Sequence, residues 1–183
     1  AEFVSSAYPN WAHYSRIVSG KTGQLISIPV EGIYLLANLH KDYHSLENVF
    51  GNLGLAYQIT NDIKNLMGTD GAARQGGDVL RQSPNAVVIL FRDSLVNGSR
   101  QEFDEKFMQG MVCEHTDEKW MQELVINGGE LAADKISSLL AEVEKDLNDH
   151  EYDIKPVLLP ATDYLYAASQ KINRISSTSN PAS

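Results

Sequence analysis

The chain has 183 residues, 43% hydrophobic and 21% charged, which fits one soluble domain with a single sizeable core. Its formal net charge of −9 argues against a nucleic-acid backbone or an anionic membrane surface as a general partner. The lone Cys113 excludes an intrachain disulfide. The AEFVSS start has no signal-peptide pattern and no apolar run reaches ~18 residues, so the expected setting is the cytoplasm.

Taken in order, Pro9 followed by Trp11, Tyr14 and Ile17/Val18 at helical spacing predicts a first helix, ended by Gly20. Lys21-Thr22-Gly23 follows. The stretch to His40 is apolar on nearly all sides and predicts a buried helix, with Pro29 kinking or breaking it. Asp42 or Ser45 can cap the next helix, which runs to about Leu66. Residues 67–83 are Gly-rich and aperiodic, a long loop of the kind that often carries function.

Ser83-Pro84 restarts a helix through NAVVILFRDSLV, with Asn97-Gly98 as its stop. Ser99 with Glu102 fits a capping box for an amphipathic helix over 99–112, and Thr116 opens another over 116–127. Gly128-Gly129 breaks the pattern. Residues 130–149 read as a clear amphipathic helix, with Leu131, Ile136, Leu139, Leu140, Val143 and Leu147 on one stripe. A last helix covers about 156–175, leaving 176–183 as a disordered tail. No stretch reads as a strand. The fold class is therefore all-α, a bundle of roughly seven or eight helices in one domain over residues 1–175.

The stretch with the most chemistry is GLAYQITNDIKNLMGTD, from Gly54 to Asp70. Gly54, Gln58, Asn61, Asp62 and Asn65 recur three or four apart and share a helix face, beyond an apolar stripe of Leu46, Val49, Phe50, Leu53 and Tyr57. Amides and a carboxylate facing inward need partners, and Mg²⁺, which prefers oxygen ligands, is one such partner. The pattern also fits a helix C-terminal turn whose polar residues face water. The five histidines form no ligand spacing with Cys113, so a zinc site is not expected.

KTGQL, then GxxxQxxNDxxNxxGxD, then a loop ending GGDVLRQSPNAVV, resemble in order and spacing the C-terminal half of the trans-isoprenyl diphosphate synthases. The resemblance covers about residues 8–175 and implies the C-terminal half of that family's helical bundle. It also implies ionisation of an allylic prenyl diphosphate and transfer of the prenyl group to isopentenyl diphosphate or another lipid acceptor, with Mg²⁺ as cofactor. By position, Lys21 and Thr22 contact the allylic diphosphate and Gln58 lies near the reacting carbons. Asp62, flanked by Asn61 and Asn65, belongs to the second metal motif. Phe50 and Tyr57 line the substrate, and Phe50 competes with a plain core role.

This sequence departs from the pattern in three ways that matter, one being that the loop lysine expected near Ser83 is absent. Asn61 and Asn65 stand where the family's second motif has aspartates, which removes two charges from a metal site. No DDxxD or DDxxxxD occurs upstream of Lys21. The first acidic motif is therefore expected on an N-terminal half or partner subunit, in a homo- or hetero-oligomer, because a half bundle leaves an apolar face open. The runner-up reading is a non-catalytic regulatory or structural subunit of a prenyl diphosphate synthase. Asp78 and Arg81 read as a surface ion pair.

Overall fold

A computed structural model describes residues 9–38, 46–69, 76–81, 83–108, 122–149 and 154–178. Expectations that fall on His40, Asp42, Ser45, Asp70, Cys113, His115 and Thr116 lie outside these. Among the described residues every regular element is helical, as the patterning predicts. None of these helices is long and apolar enough to cross a membrane.

The first helical stretch is longer than expected. Helix α1 (Trp11–Val18) passes without a break into a π-helical turn, Ser19–Gly23, and then into α2 (Gln24–Leu36). Asn10 caps the start, its Oδ1 accepting from the His13 N–H at 2.9 Å. Gly20 does not end the helix. The chain turns instead at Asn38, whose φ of 61° places it in the left-handed region after α2. Pro29 sits inside α2 without breaking it. The helix is also not buried all round. Ser27, Val30 and Tyr34 face inward, while Leu25, Ile28, Leu35 and Leu36 are 51–91% exposed.

Helix α3 (Glu47–Met67) is the axis of the molecule. It packs on the π turn, α1 and α2 at one side, and on the two long C-terminal helices at the other. Val49, Phe50, Leu53, Ala56, Ile59 and Ile63 are all at most 2% exposed. Burying each large side chain contributes about 1.5–3 kcal/mol. Gly68, at φ 69°, ends the helix, and its N–H together with that of Thr69 is taken by the carbonyls of Asn65 and Lys64.

The loop after α3 returns to it. A one-turn helix α4 (Gly77–Leu80) follows Gly76, and α5 (Ala86–Ser94) begins at the capping residue Asn85. Asn85 is fully buried, and its Oδ1 accepts from the Val87 and Val88 N–H groups at 3.0 and 3.4 Å. Replacing it with alanine should lower stability by about 1–2 kcal/mol in chemical denaturation. Leu95 is extended, so α5 stops before Asn97-Gly98, and those two residues open α6 (Asn97–Met108) rather than closing α5. Ser99 therefore lies inside α6 and does not cap it.

A second π turn, Leu124–Gly128, runs directly into α7 (Gly129–Asn148), and α8 (Lys155–Thr178) closes the described chain. The Gly128-Gly129 pair does not break the helix. A Cβ on Gly128 would lie 2.8 Å from Val87 Cγ1, so this glycine lets α5 and the π turn meet closely. The stripe expected on α7, from Ile136 to Leu147, is buried against α3 and α8. Helix α8 extends past the expected end at residue 175.

Candidate functional site

The two sequence blocks that stand out, KTG and GxxxQxxND, meet backbone to backbone. A Cβ added to Gly54 would lie 2.5 Å from the Gly23 nitrogen, 2.7 Å from its Cα and 3.0 Å from the Thr22 carbonyl carbon. One added to Gly23 would lie 3.0 Å from the Phe50 carbonyl oxygen and 3.1 Å from Gly51 Cα. The glycines are there because side chains would hold the π turn away from α3. Their absence puts Thr22 against α3 one turn before Gln58. Lys21 is exposed, while Thr22 and Gln58 are half-buried.

Asp62 does not face water. It is 2% exposed, and its carboxylate collects three hydrogen bonds from three places in the chain. The Tyr14 hydroxyl on α1 donates to Oδ2 at 2.8 Å, and the Ala86 N–H, the first of α5, donates to the same oxygen at 2.7 Å. Gln58 Nε2, one turn back on α3, donates to Oδ1 at 2.9 Å. The Asp62 carbonyl meanwhile accepts from Asn85 Nδ2 at 3.4 Å. The residue thus ties α1 and the N-terminus of α5 to α3, where a negative charge also suits the helix dipole.

Burial still outweighs these donors. It pushes the Asp62 carboxyl up from its ordinary 3.8 to about 6, while the Ala86, Gln58 and Tyr14 bonds pull the other way and the charge of Asp78 adds a little upward. In that range the folded state holds a proton that the unfolded chain has released. The stability Asp62 contributes is therefore full below pH 3.8 and is lost as pH rises to about 6. Thermal melts should show wild type falling relative to Asp62→Asn between about pH 4 and pH 7, by on the order of 2–3 kcal/mol. Parallel curves would disprove the shift.

Asn65 is buried and equally occupied. Its Oδ1 accepts from the Asp78 N–H at 3.1 Å, and its carbonyl accepts from the Gly76 and Gly68 N–H groups at 2.8 and 3.1 Å. It therefore fastens the returning Gly-rich loop to α3. Asn61 is half-buried on the same helix. Asp78 and Arg81 form the expected surface pair, 2.9 Å apart.

A hydrated Mg²⁺ does not fit this donor set. The one carboxylate is enclosed and turned toward an N–H, an O–H and an amide NH₂, all of which repel a cation. The neighbouring amide of Asn65 has its oxygen on a backbone N–H. Among the described residues no three His, Cys, Asp or Glu side chains cluster to hold a metal.

A cavity of about 780 Å³ opens between the π turn, α2 and the start of α3. Ser27, Ile28, Glu31, Tyr34, Glu47 and Phe50 are among its walls. Its volume suits a small organic ligand. Phe50 is the one sequence-predicted site residue that lines it. Lys21, Thr22, Tyr57, Gln58 and Asp62 are not among its walls, and Tyr57 is 44% exposed.

Sequence reasoning missed Tyr14, Asn85 and the Ala86 N–H. Asn85 after Ser83-Pro84 carries an N-cap signal. Nothing in the sequence signals that Tyr14 would reach a carboxylate 48 positions away.

The all-α bundle with KTG packed on GxxxQxxND defines the class. The polyprenyl synthetase family matches residues 2–144, and the chain belongs to that family. No curated protein and no solved structure matches it. Prenyl transfer from allylic diphosphates is the family's chemistry, and its members generally use Mg²⁺ through aspartate-rich motifs.

Proposed function

We propose that this chain is the catalytic C-terminal half, or the corresponding subunit, of a prenyltransferase that works with an N-terminal half or partner subunit bearing the first acidic motif. The observation that carries the reading is the contact of Gly54 with Gly23 and Thr22, which sets the KTG block beside the Gln58 turn. In this reading Lys21 and Thr22 bind the diphosphate of an allylic substrate. Gln58 lies beside the reacting carbons, its amide held by Asp62. Phe50, in the cavity wall, and the exposed Tyr57, outside that cavity, are the side chains this reading sets along the prenyl chain. The cation that forms as diphosphate leaves must be kept from water, which requires the apolar face to be covered. Leu25, Ile28, Leu35 and Leu36 on α2 are exposed, which supports a further polypeptide lying there.

The test is release of diphosphate from labelled allylic substrate with isopentenyl diphosphate and Mg²⁺. The chain alone should release none, and its mixture with a first-motif polypeptide should release diphosphate and form a longer prenyl product. A mixture no more active than the partner alone would reject the catalytic reading. One observation favours the second reading, a non-catalytic subunit of a prenyl diphosphate synthase: the enclosed Asp62 carboxylate and the two amides beside it. That reading expects a partner active by itself whose rate or product this chain tunes.

A further inference from the structure

We infer that Asp62 is a positioning residue rather than a metal ligand, and that the second motif of this chain holds no divalent cation. The inference rests on the prenyltransferase reading only in naming the ion that the motif is expected to bind. Its geometric basis is independent of that. Three donors from α1, α3 and the first residue of α5 converge on one buried carboxylate. Two of them, the Tyr14 hydroxyl and the Gln58 amide, belong to side chains that would have to turn away before a cation could enter. The third is a backbone N–H at a helix start and cannot turn away without undoing α5. Asn65 is committed to the Asp78 N–H in the same manner. Asn61 is left as one neutral oxygen donor, which is too little to strip water from Mg²⁺.

The clip makes a prediction that a ligand would not. Asparagine fits the Asp62 site without loss of bonds. Its Oδ1 takes the Tyr14 and Ala86 donors, and its Nδ2 faces Gln58, whose amide turns over to present Oε1. Alanine keeps none of the three. For a metal ligand the order differs, because loss of the charge alone weakens the ion in either variant.

The experiment uses the full chain with Mn²⁺ alone as the probe, titrated by water-proton relaxation, alongside thermal melts at pH 7. Wild type, Asp62→Asn and Asp62→Ala should show the same Mn²⁺ titration. Asp62→Asn should melt no lower than wild type, and Asp62→Ala several degrees lower. If Asp62→Ala does not fold, Asp62→Asn still carries the metal readout, and the failure agrees with a clip. A tenfold or greater loss of Mn²⁺ affinity in a folded Asp62→Asn would overturn the inference. So would Asp62→Asn melting as low as Asp62→Ala, or Asp62→Ala melting like wild type. None of these readouts involves turnover, so the inference and the prenyltransferase reading can fail separately.

Discussion

Gly54→Ala should lower the melting temperature by roughly 5–10 °C, which for a chain of this size corresponds to about 2–3 kcal/mol. Two effects oppose each other. Alanine is favoured over glycine inside a helix by about 1 kcal/mol. Against that, the new methyl would lie 2.5 Å from a backbone nitrogen and 2.7 Å from a backbone Cα. Backbone atoms cannot rotate aside as a side-chain tip can. The π turn must then lift off α3, which loosens the packing of both, and overfilling of this kind costs about 1–3 kcal/mol or more. Valine should be worse, since its branches add volume at the same crossing. Gly32 is the internal control. It lies in α2 with nothing within 4 Å of its Cβ position, so Gly32→Ala should gain about 0.5–1 kcal/mol and melt higher. Opposite signs for the same substitution would show that contact, not propensity, sets the outcome. A Gly54→Ala variant that melts at or above wild type would remove the crossing on which the functional reading rests.

These glycines also show what could be read from the sequence and what could not. The periodic stripes of α3 and α7 were legible because burial on one side fixes the spacing of apolar residues. The order of KTG, GxxxQxxND and the Gly-rich loop was legible as a family pattern. Gly20, Gly128 and Gly129 look like helix ends in the sequence, because glycine in isolation lowers helix propensity. In the fold the chain stays helical through them, and Gly128 serves the approach of Val87 and Phe91. Asn97-Gly98 has the composition of a stop, yet α5 ends earlier, at Ser94. Periodicity puts Asp62 on the polar side of α3 with Gln58 and Asn65, and in the fold Gln58 donates to its carboxylate. It could not tell that α5 would bring its first N–H to that same side, since that partner is a backbone group with no side-chain signature. The apolar composition of α2 implies burial, yet composition cannot say whether the covering surface belongs to the same chain.

In the proposed complex with a first-motif polypeptide, Lys21→Ala should reduce turnover about a hundredfold, equivalent to about 2.7 kcal/mol of barrier. The reasoning starts from charge. Ionisation of an allylic diphosphate gathers negative charge on the departing group, and a nearby ammonium stabilises that group more in the transition state than in the bound substrate. Such an interaction appears in kcat as well as in kcat/KM. Lys21 is exposed on the π turn, next to Thr22 and the Gly23–Gly54 crossing, so its removal leaves no cavity and should leave the melt unchanged. Lys21→Arg keeps the charge and should recover part of the rate, while Lys21→Met keeps most of the stem and should recover none. A fall confined to KM would mean that the lysine binds diphosphate equally before and during ionisation. Unchanged turnover in Lys21→Ala, with assembly intact, would take the diphosphate off this chain altogether. The non-catalytic subunit would then be the better account of a chain whose second motif has one carboxylate, closed inside the protein.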